Sequence, residues 1–412
     1  MPYLLMKPKY AQYLMWILYG VIAIYSLAGI LYFSQLPVGS GDEALFIKDL
    51  KLVEQQGWNA AVRKGISIPY MLVAVPVAQV LEGYVALRLV NVLLFLLLIL
   101  YFFSYRKIRD LHFYALVLFF YATVGYFLLG VNDTLFIVCM VVFYAETYFL
   151  LEGGKRASFT LGAAALVVAF FTRELLIIFA PVVLFSLGLL VQRQCIAWRS
   201  VRLPAVLIGI FILLNLPSLR AGSGLSYDAK LPPEGTEANW VQRQYLAQLQ
   251  VNEGRLPDFN HPSWEETDAY LASNGLDALP KGVLSGLTFD PMLTATEFAK
   301  DLVYIVTYST RQIGLLLPIL LVLGFRQWMR SRTVTPTGYV SLLLACMILI
   351  FALIIISFVE LRWFGALFLL AIVAYTRAVK QGALPRMIVT LQSFVIILIC
   401  LYGLYGFYQK LS

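Results

Sequence analysis

The sequence predicts an all-α protein that crosses a membrane many times. Its residues are 61% hydrophobic and only 13% charged, which makes it richer in apolar residues than typical soluble domains. Apolar runs near or above about 18 residues recur from one end of the chain to the other, and a helix of that length crosses the roughly 30 Å hydrocarbon layer. Lys and Arg concentrate in alternate connections between these runs, as the positive-inside rule expects.

About eleven hydrophobic runs follow one another, and we expect each to form a transmembrane helix. Runs 158–171 and 363–376 are short for a full crossing, so either flanking residues extend them or they end inside a protein-lined cavity. Because no internal repeat or linker separates the runs, we expect a single domain over residues 1–412. The expected spans are 11–34, 85–104, 111–130, 134–151, 158–171, 175–192, 203–219, 302–324, 337–358, 363–376 and 387–408.

Charge sets the expected orientation. Lys7 and Lys9 precede the first run, which is too long for a signal-peptide core, so we expect a retained anchor with a cytoplasmic N-terminus. With that start, every short cytoplasmic connection is basic, and Asp110 and Glu152 are its only acids. The net charge of +8 then reflects topology, not nucleic-acid binding. A bacterial inner membrane fits this pattern, with the functional face periplasmic or extracellular.

Two long loops fall on the expected outer side. The first covers residues 35–84 and carries Asp42 and Glu43. The second covers residues 220–301, and its mixed charges, with Trp240 and Trp264, predict short helices on the outer face. Acidic groups beside a membrane are by default candidates for function.

A mixed set of acids and bases reaches the same membrane level from four separate outer loops. A carboxylate can activate a hydroxyl by taking its proton, and cations can hold a phosphate leaving group attached to a lipid. Arginine suits the phosphate because its planar fork makes paired hydrogen bonds. The set is Asp42, Glu43, Lys64, Asp133, Arg173, Glu174, Glu360 and Arg362.

Six short motifs, in order and all on the expected outer side, resemble the GT-C superfamily of polyprenyl-phosphate-sugar glycosyltransferases. The acidic pair Asp42-Glu43 opens the first outer loop. The likeness covers about residues 1–376, and the remaining matches are Ile68-Pro69-Tyr70-Met71-Leu72, Val85-Ala86-Leu87-Arg88-Leu89-Val90-Asn91, Gly130-Val131-Asn132-Asp133, Phe171-Thr172-Arg173-Glu174 and Val359-Glu360-Leu361-Arg362-Trp363.

This resemblance implies roles for individual residues. As in the lipid A aminoarabinose transferase and protein O-mannosyltransferase families, Asp42 corresponds to a catalytic base and Asp133 to a second essential carboxylate. Glu43 is expected to orient the site or to bind a divalent metal, which is the one cofactor left open. The donor phosphate is expected to contact Lys64, Arg173 and Arg362. Ile68 and Trp363 depart from the family's motifs, which leaves the sugar and the acceptor open.

Four other charged residues have plainer interpretations. Arg88 either extends to the membrane surface or pairs with carbonyls of a neighbouring helix. Glu146 and Arg311 fall inside expected spans, where a structural ion pair is the simpler expectation, although Arg311 can also face an outer cavity. Glu174 has a simple alternative role as the ion-pair partner of Arg173.

The functional prediction is an inverting glycosyltransferase of cell-envelope glycan biosynthesis. It would move a monosaccharide from an undecaprenyl- or dolichyl-phosphate donor to a hydroxyl of a lipid-linked glycan, lipopolysaccharide or protein. Its expected partners are that donor, that acceptor and the lipid bilayer, with no nucleic acid. An O-antigen polymerase or ligase is the first alternative, although such proteins depend mainly on outer-loop arginines. A transporter or lipid flippase is the second, although repeated halves are typical of transporters.

Overall fold

The computed structural model describes residues 8–411 except 154–157, 228–231, 234, 258–259 and 357. Within those residues the chain is all-helical and contains no β-strand. The helices are α1 Pro8–Ser34, α2 Glu43–Gln56, α3 Trp58–Lys64, α4 Ile68–Ala78, α5 Gly83–Leu100, α6 Leu111–Val124, α7 Asp133–Gly153, α8 Thr160–Thr172, α9 Leu176–Gln192, α10 Arg202–Arg220, α11 Trp240–Asn252, α12 Trp264–Asn274, α13 Val283–Phe289, α14 Pro291–Ile313, α15 Leu316–Ser331, α16 Pro336–Leu353, α17 Gly365–Lys380 and α18 Arg386–Leu411.

Seven helices of the described chain are long and apolar enough to cross a membrane, or eight if the bent pair α14 and α15 is one crossing. This is the architecture of a multi-pass membrane protein. A helix coincides with each of the eleven expected runs, but α6, α8 and α9 are apolar helices of fewer than 18 residues. The number of eleven crossings therefore stays a prediction. The seven are Gln12–Ser34, Gly83–Tyr105, Asp133–Gly153, Arg199–Arg220, Pro336–Leu353, Leu361–Lys380 and Arg386–Lys410.

The expected straight span 302–324 is broken at Gly314, which has a positive φ of 63°. The side-chain amide of Gln392 in α18 covers this break: its Nε2 donates to the Ile313 carbonyl (2.9 Å), and its Oε1 accepts from the Leu315 N–H (2.5 Å). Backbone groups released by a broken helix need such partners where water is absent. A Cβ at position 314 would approach Gln392 to 2.6 Å, so the break depends on glycine.

The chain divides into two compact units. The first unit comprises Met1–Asp228, Ser309–Leu344 and Arg362–Ser412. Its centre is α7, of which 94% of the most apolar window is buried, and α7 packs against α5, α8, α9 and α17. Helix α1 packs against α6 and α18. Because α7 is surrounded by other helices, its first residue, Asp133, is held in a fixed place.

The second unit comprises Ala229–Tyr308 and Ala345–Leu361 and includes most of the expected outer loop 220–301. That loop contains helices, as predicted, and two of them begin with capping boxes, Asn239 with Gln242 and Ser263 with Glu266. Its small hydrophobic core consists of Ala238, Tyr245, Leu246, Leu271 and Leu279.

The expected first outer loop, 35–84, is also largely helical, because it holds α2, α3 and α4. Helix α2 packs against α3, α4 and α5, and α3 packs against α10. The loop is therefore a folded layer of the first unit, and Asp42 is the residue before its first helix.

Candidate functional site

Four of the predicted residues form a continuous ion network in the first unit. Arg362 donates through one terminal nitrogen to Asp42 Oδ2 (2.6 Å) and through the other to Asp133 Oδ2 (3.1 Å). The guanidinium of Arg173 pairs with the other oxygen of Asp133, Oδ1. We call Asp42, Asp133, Arg173 and Arg362 the four-residue network.

Each member of the network lies at the end of a helix. Asp42 precedes α2, and its side chain makes no capping hydrogen bond, so it is directed instead to Arg362. Asp133 begins α7, Arg173 follows the last residue of α8, and Arg362 lies in the short 3₁₀ turn Leu361–Phe364 before α17. The network therefore joins residues that are 320 and 229 positions apart along the chain.

Burial divides the network into an inner and an outer part. The side chains of Asp133 and Arg362 are 3% and 7% exposed, whereas those of Asp42 and Arg173 are 26% and 21% exposed. Two carboxylates and two guanidiniums balance in charge, which limits the cost of burying them. Asp42 and Arg173 are thus the members that a molecule from outside can reach.

Arg362 also contacts an aromatic ring. Its guanidinium carbon lies 4.9 Å from the centre of the Tyr126 ring, within the range of a cation–π contact. Tyr126 begins a short 3₁₀ turn after Gly125, whose φ is 64°. Only glycine fits there, since a Cβ would approach the Phe33 ring to 2.3 Å.

Side-chain hydrogen bonds from Ser67, Asn91 and Asn132 fix the helix ends that carry the network. The carbonyl of Thr172, beside Arg173, accepts from Ser67 Oγ (2.9 Å) and from Asn132 Nδ2 (3.3 Å). Asn91 Nδ2 donates to the carbonyls of Leu129 and Val131, the latter at 2.9 Å. The segment before Asp133 is therefore held by α5 and by the end of α8.

Glu43 and Arg88 form a second ion pair close in sequence to the first network. Arg88 donates through Nε to Glu43 Oε1 (2.7 Å) and through a terminal nitrogen to Oε2 (2.8 Å). The Gly130 N–H also donates to Oε1 (3.0 Å), and the Gly39 N–H donates to Oε2 (2.9 Å). Burial raises the pKa of Glu43, but the hydrogen bonds from Arg88, Gly130 and Gly39 outweigh it, so the pKa lies below its ordinary value.

Arg88 also holds the chain that leads from α1 into α2. Its terminal nitrogens donate to the carbonyls of Leu36 and Pro37 (3.2 Å each) and of Ser34 (3.4 Å). One of the two expectations for Arg88 was pairing with carbonyls of a neighbouring helix. It does pair with backbone carbonyls, but two of the three, those of Leu36 and Pro37, belong to the connection between α1 and α2. Arg88 and Glu43 thus join α5 to the first loop.

The remaining predicted site residues are Lys64, Glu174, Arg311 and Glu360. Lys64 is exposed at the end of α3, and Glu174 is exposed after α8; within the described residues neither belongs to the four-residue network. Arg173 pairs with Asp133. Arg311 is exposed in α14, and Glu360 is half-buried in the second unit. Their proposed supporting roles stay predictions.

Glu146 has the structural ion pair expected for it. Its Oε1 accepts from Tyr101 Oη (2.6 Å) and from Arg106 Nε (2.8 Å). This pair joins the π-helical turn Tyr101–Tyr105 at the end of α5 to α7. It is separate from the four-residue network.

Sequence reasoning missed several supporting residues: Ser67, Asn91, Tyr126 and Gly130. For Gly130 and Asn91 the available signal was their place inside the quoted motifs. Nothing in the sequence indicated Tyr126. Within the described residues, no group of three or more His, Cys, Asp or Glu side chains could hold a metal ion.

A scan against protein-family models, a search of curated proteins and a search of solved structures each find no match to this chain. The fold itself defines the class: a multi-pass, all-helical membrane protein. The described part of this chain also carries a charge-balanced network at its helix ends.

Proposed function

We propose that this protein is an inverting membrane glycosyltransferase. It transfers a monosaccharide from a polyprenyl-phosphate donor to a hydroxyl of a lipid-linked glycan, lipopolysaccharide or protein on the outer face of the membrane. The reacting centre is the four-residue network, with Asp42 as the general base and with Arg173 and Arg362 as the phosphate ligands.

The observation that carries this proposal is the bridge from Arg362 to Asp42 and Asp133. Those three residues come from three distant motifs of the GT-C resemblance, and one guanidinium contacts both acids. Buried charges are expensive, so a network of four in a largely apolar chain indicates a use beyond packing. The partial exposure of Asp42 and Arg173 supports contact with substrates.

The proposed step balances in atoms and charge. The acceptor oxygen attacks the anomeric carbon while its proton passes to the Asp42 carboxylate. The bond from the anomeric carbon to the phosphate oxygen breaks, and its electron pair leaves with the phosphate. The products are the glycosylated acceptor and the polyprenyl phosphate, with the anomeric configuration inverted by a single displacement.

Arg362 links binding of the donor phosphate to the ability of Asp42 to accept a proton. Arg362 is hydrogen-bonded to Asp42, and a donor phosphate would compete for the same guanidinium through charge-assisted bonds. Once Arg362 turns to the phosphate, the Asp42 carboxylate loses this cationic hydrogen-bond donor, and a carboxylate that loses such a donor accepts a proton more readily. Donor binding therefore prepares the base for the acceptor.

The proposal is tested with the purified full chain in liposomes. Undecaprenyl-phosphate donors carrying different labelled sugars are supplied, and release of undecaprenyl phosphate is measured with the anomeric configuration of the product. We expect release from at least one donor with inversion, and release about 10²–10⁴-fold slower from the Asp42→Asn variant. Glu54→Gln is a matched control, because Glu54 is exposed on α2, the helix that Asp42 precedes.

Other results would point away from this function. Release of undecaprenyl diphosphate from a diphosphate-linked donor would favour a polymerase or ligase. Movement of an intact sugar-lipid between leaflets without transfer would favour a flippase. Retention of the anomeric configuration would exclude the single displacement.

A further inference from the structure

A groove between α3 and α10 lies apart from the four-residue network and has its own chemistry. It is a cavity of about 480 Å³ in the first unit. Two arginines, Arg63 from α3 and Arg220 from the last turn of α10, line it together with the amide of Asn59. Its remaining lining is apolar and comes from Leu213, Leu216, Pro217 and Ala221.

Within the described residues, no acidic side chain pairs with the two arginines of the groove. Arg63 donates through Nε to the Asn59 carbonyl of its own helix (3.3 Å). None of the described lining residues is acidic. Two guanidiniums that line one groove, with no acid among its described lining residues, are suited to bind an anion, and arginine's fork matches a phosphate.

The apolar lining indicates that the anion carries a hydrocarbon chain. Helix α10 belongs to a candidate span, Arg199–Arg220, of which only 22% of the most apolar window is buried, against 94% for α7. Leu213, in the groove, is 64% exposed. A spanning helix with so little protein around it presents its surface to lipid, and its last turn lies at the level of the lipid headgroups.

We propose that this groove binds an anionic glycerophospholipid of the surrounding leaflet. Arg63 and Arg220 would contact its phosphate, Asn59 would donate to a headgroup oxygen, and an acyl chain would lie along Leu213 and Leu216. The choice of a bilayer phospholipid rests on two observations: Leu213 of the groove lies on the exposed surface of the little-buried candidate span α10, and neither arginine belongs to the four-residue network. This site is independent of the proposed transferase activity.

The test measures lipids retained by the purified full chain in neutral detergent, using native mass spectrometry. The lipids and anions supplied are phosphatidylglycerol, phosphatidylcholine, undecaprenyl phosphate and inorganic phosphate. In the wild type we expect phosphatidylglycerol to be held in preference to phosphatidylcholine. Each single variant, Arg63→Gln or Arg220→Gln, should weaken the apparent Kd for phosphatidylglycerol about 5-fold and the double variant about 30-fold, given the usual contribution of one basic residue near an anionic membrane surface.

The matched control is Lys48→Gln with Lys51→Gln, which removes the same charge from exposed positions of α2. It should change the Kd less than 2-fold. Should the double variant fail to fold, the two single variants give the answer. Equal retention of phosphatidylglycerol in wild type and variants would overturn the proposal. So would an arginine-dependent preference for undecaprenyl phosphate, or binding of inorganic phosphate as tight as that of the lipid.

Discussion

Asp42 and Glu43 are neighbours in the chain, but their carboxylates lie in different environments. Glu43 has no exposed surface, and its two oxygens accept four hydrogen bonds, two from Arg88 and one each from Gly39 and Gly130. The side chain of Asp42 is 26% exposed and is bonded to Arg362. The difference arises because the two residues sit at successive positions at the start of α2, where side chains point about 100° apart.

The difference in exposure and hydrogen bonding indicates different roles for the two carboxylates, a structural role for Glu43 and a chemical role for Asp42. A carboxylate enclosed by four donors is stabilised as the anion, which makes it a weak base and leaves no path for a substrate proton. A carboxylate at the edge of a charge-balanced network can meet a substrate. We therefore assign Glu43 to holding the first loop in place and Asp42 to the proposed reaction.

The two arginines extend the same comparison, and of the two we expect Arg362→Ala to have the larger effect on the rate. Loss of one positioned hydrogen-bond donor that stabilises developing negative charge typically lowers a reaction rate by about 10²–10³-fold, and we expect a fall of that size in the rate of sugar transfer. Arg362→Lys should recover only part of the rate, because an ammonium lacks the fork that spans two oxygens.

The control for Arg362→Lys is Arg88→Lys, which alters the Glu43 pair. It should lower the melting temperature while the folded enzyme keeps most of its rate. If Arg362→Lys lowered only the melting temperature and left the rate unchanged, Arg362 would be a structural counter-ion like Arg88.

Glu43→Gln should produce a large loss of stability. Removing one partner of a buried ion pair typically costs about 3–5 kcal/mol, and Glu43 and Arg88 are only 0% and 14% exposed. We expect a loss near 3 kcal/mol in the free energy of unfolding, measured by denaturant titration in detergent. Glu54→Gln on the exposed face of α2 should stay within about 0.5 kcal/mol of wild type. Equal stabilities for the two variants would contradict the assignment of Glu43.

Gly130→Ala tests the hydrogen bond that the Gly130 N–H donates to Glu43. A Cβ there would approach Leu87 Cβ to 2.4 Å and Glu43 Oε1 to 3.2 Å. Moving the loop to relieve this crowding weakens the hydrogen bond from the Gly130 N–H to Glu43, and overpacking typically costs about 1–3 kcal/mol. Gly153→Ala, where a Cβ meets open space, should change the melting temperature little. A wild-type melting temperature for Gly130→Ala would show that the loop adapts freely.

The pH dependence of stability should show a smaller effect. Because the pKa of Glu43 is lowered in the folded protein, its contribution is complete above the ordinary value of 4.5 and is lost as the pH falls through the lowered value. The difference in melting temperature between wild type and Glu43→Gln should therefore be constant from about pH 7 to 5 and should shrink below pH 4.5. A constant difference down to pH 3 would indicate that Glu43 is not the anion that binds Arg88.

Much of the fold could be predicted because hydrophobic runs report helices directly. Each expected run contains a helix, but the break at Gly314 was missed, since it depends on Gln392, 79 residues from Ile313. Helix α4 was also not expected, because it is only 11 residues long and carries Pro69 and Pro76. Which runs cross fully depends on how helices pack, which local hydrophobicity does not report.

The members of the site were easier to predict than their pairing. Charge placement put Asp42, Asp133, Arg173 and Arg362 on one side of the membrane, and the structure joins all four. Sequence proximity offered Glu174 as an ion-pair partner of Arg173, whereas the structure pairs Arg173 with Asp133. Contacts between residues more than 200 positions apart are set by helix packing, and a single sequence carries no signal for them.

The central claim is that Asp42 acts as a base while Glu43 is structural. The most direct measurement compares Asp42→Asn and Glu43→Gln in one preparation, for both the rate of sugar transfer and the melting temperature. We predict that Asp42→Asn lowers the rate by about 10²–10⁴-fold and keeps a near wild-type melting temperature, since the amide keeps the shape and loses the base. Glu43→Gln should lower the melting temperature, and the molecules that remain folded should keep most of the transfer rate. Near wild-type transfer by Asp42→Asn would contradict the account.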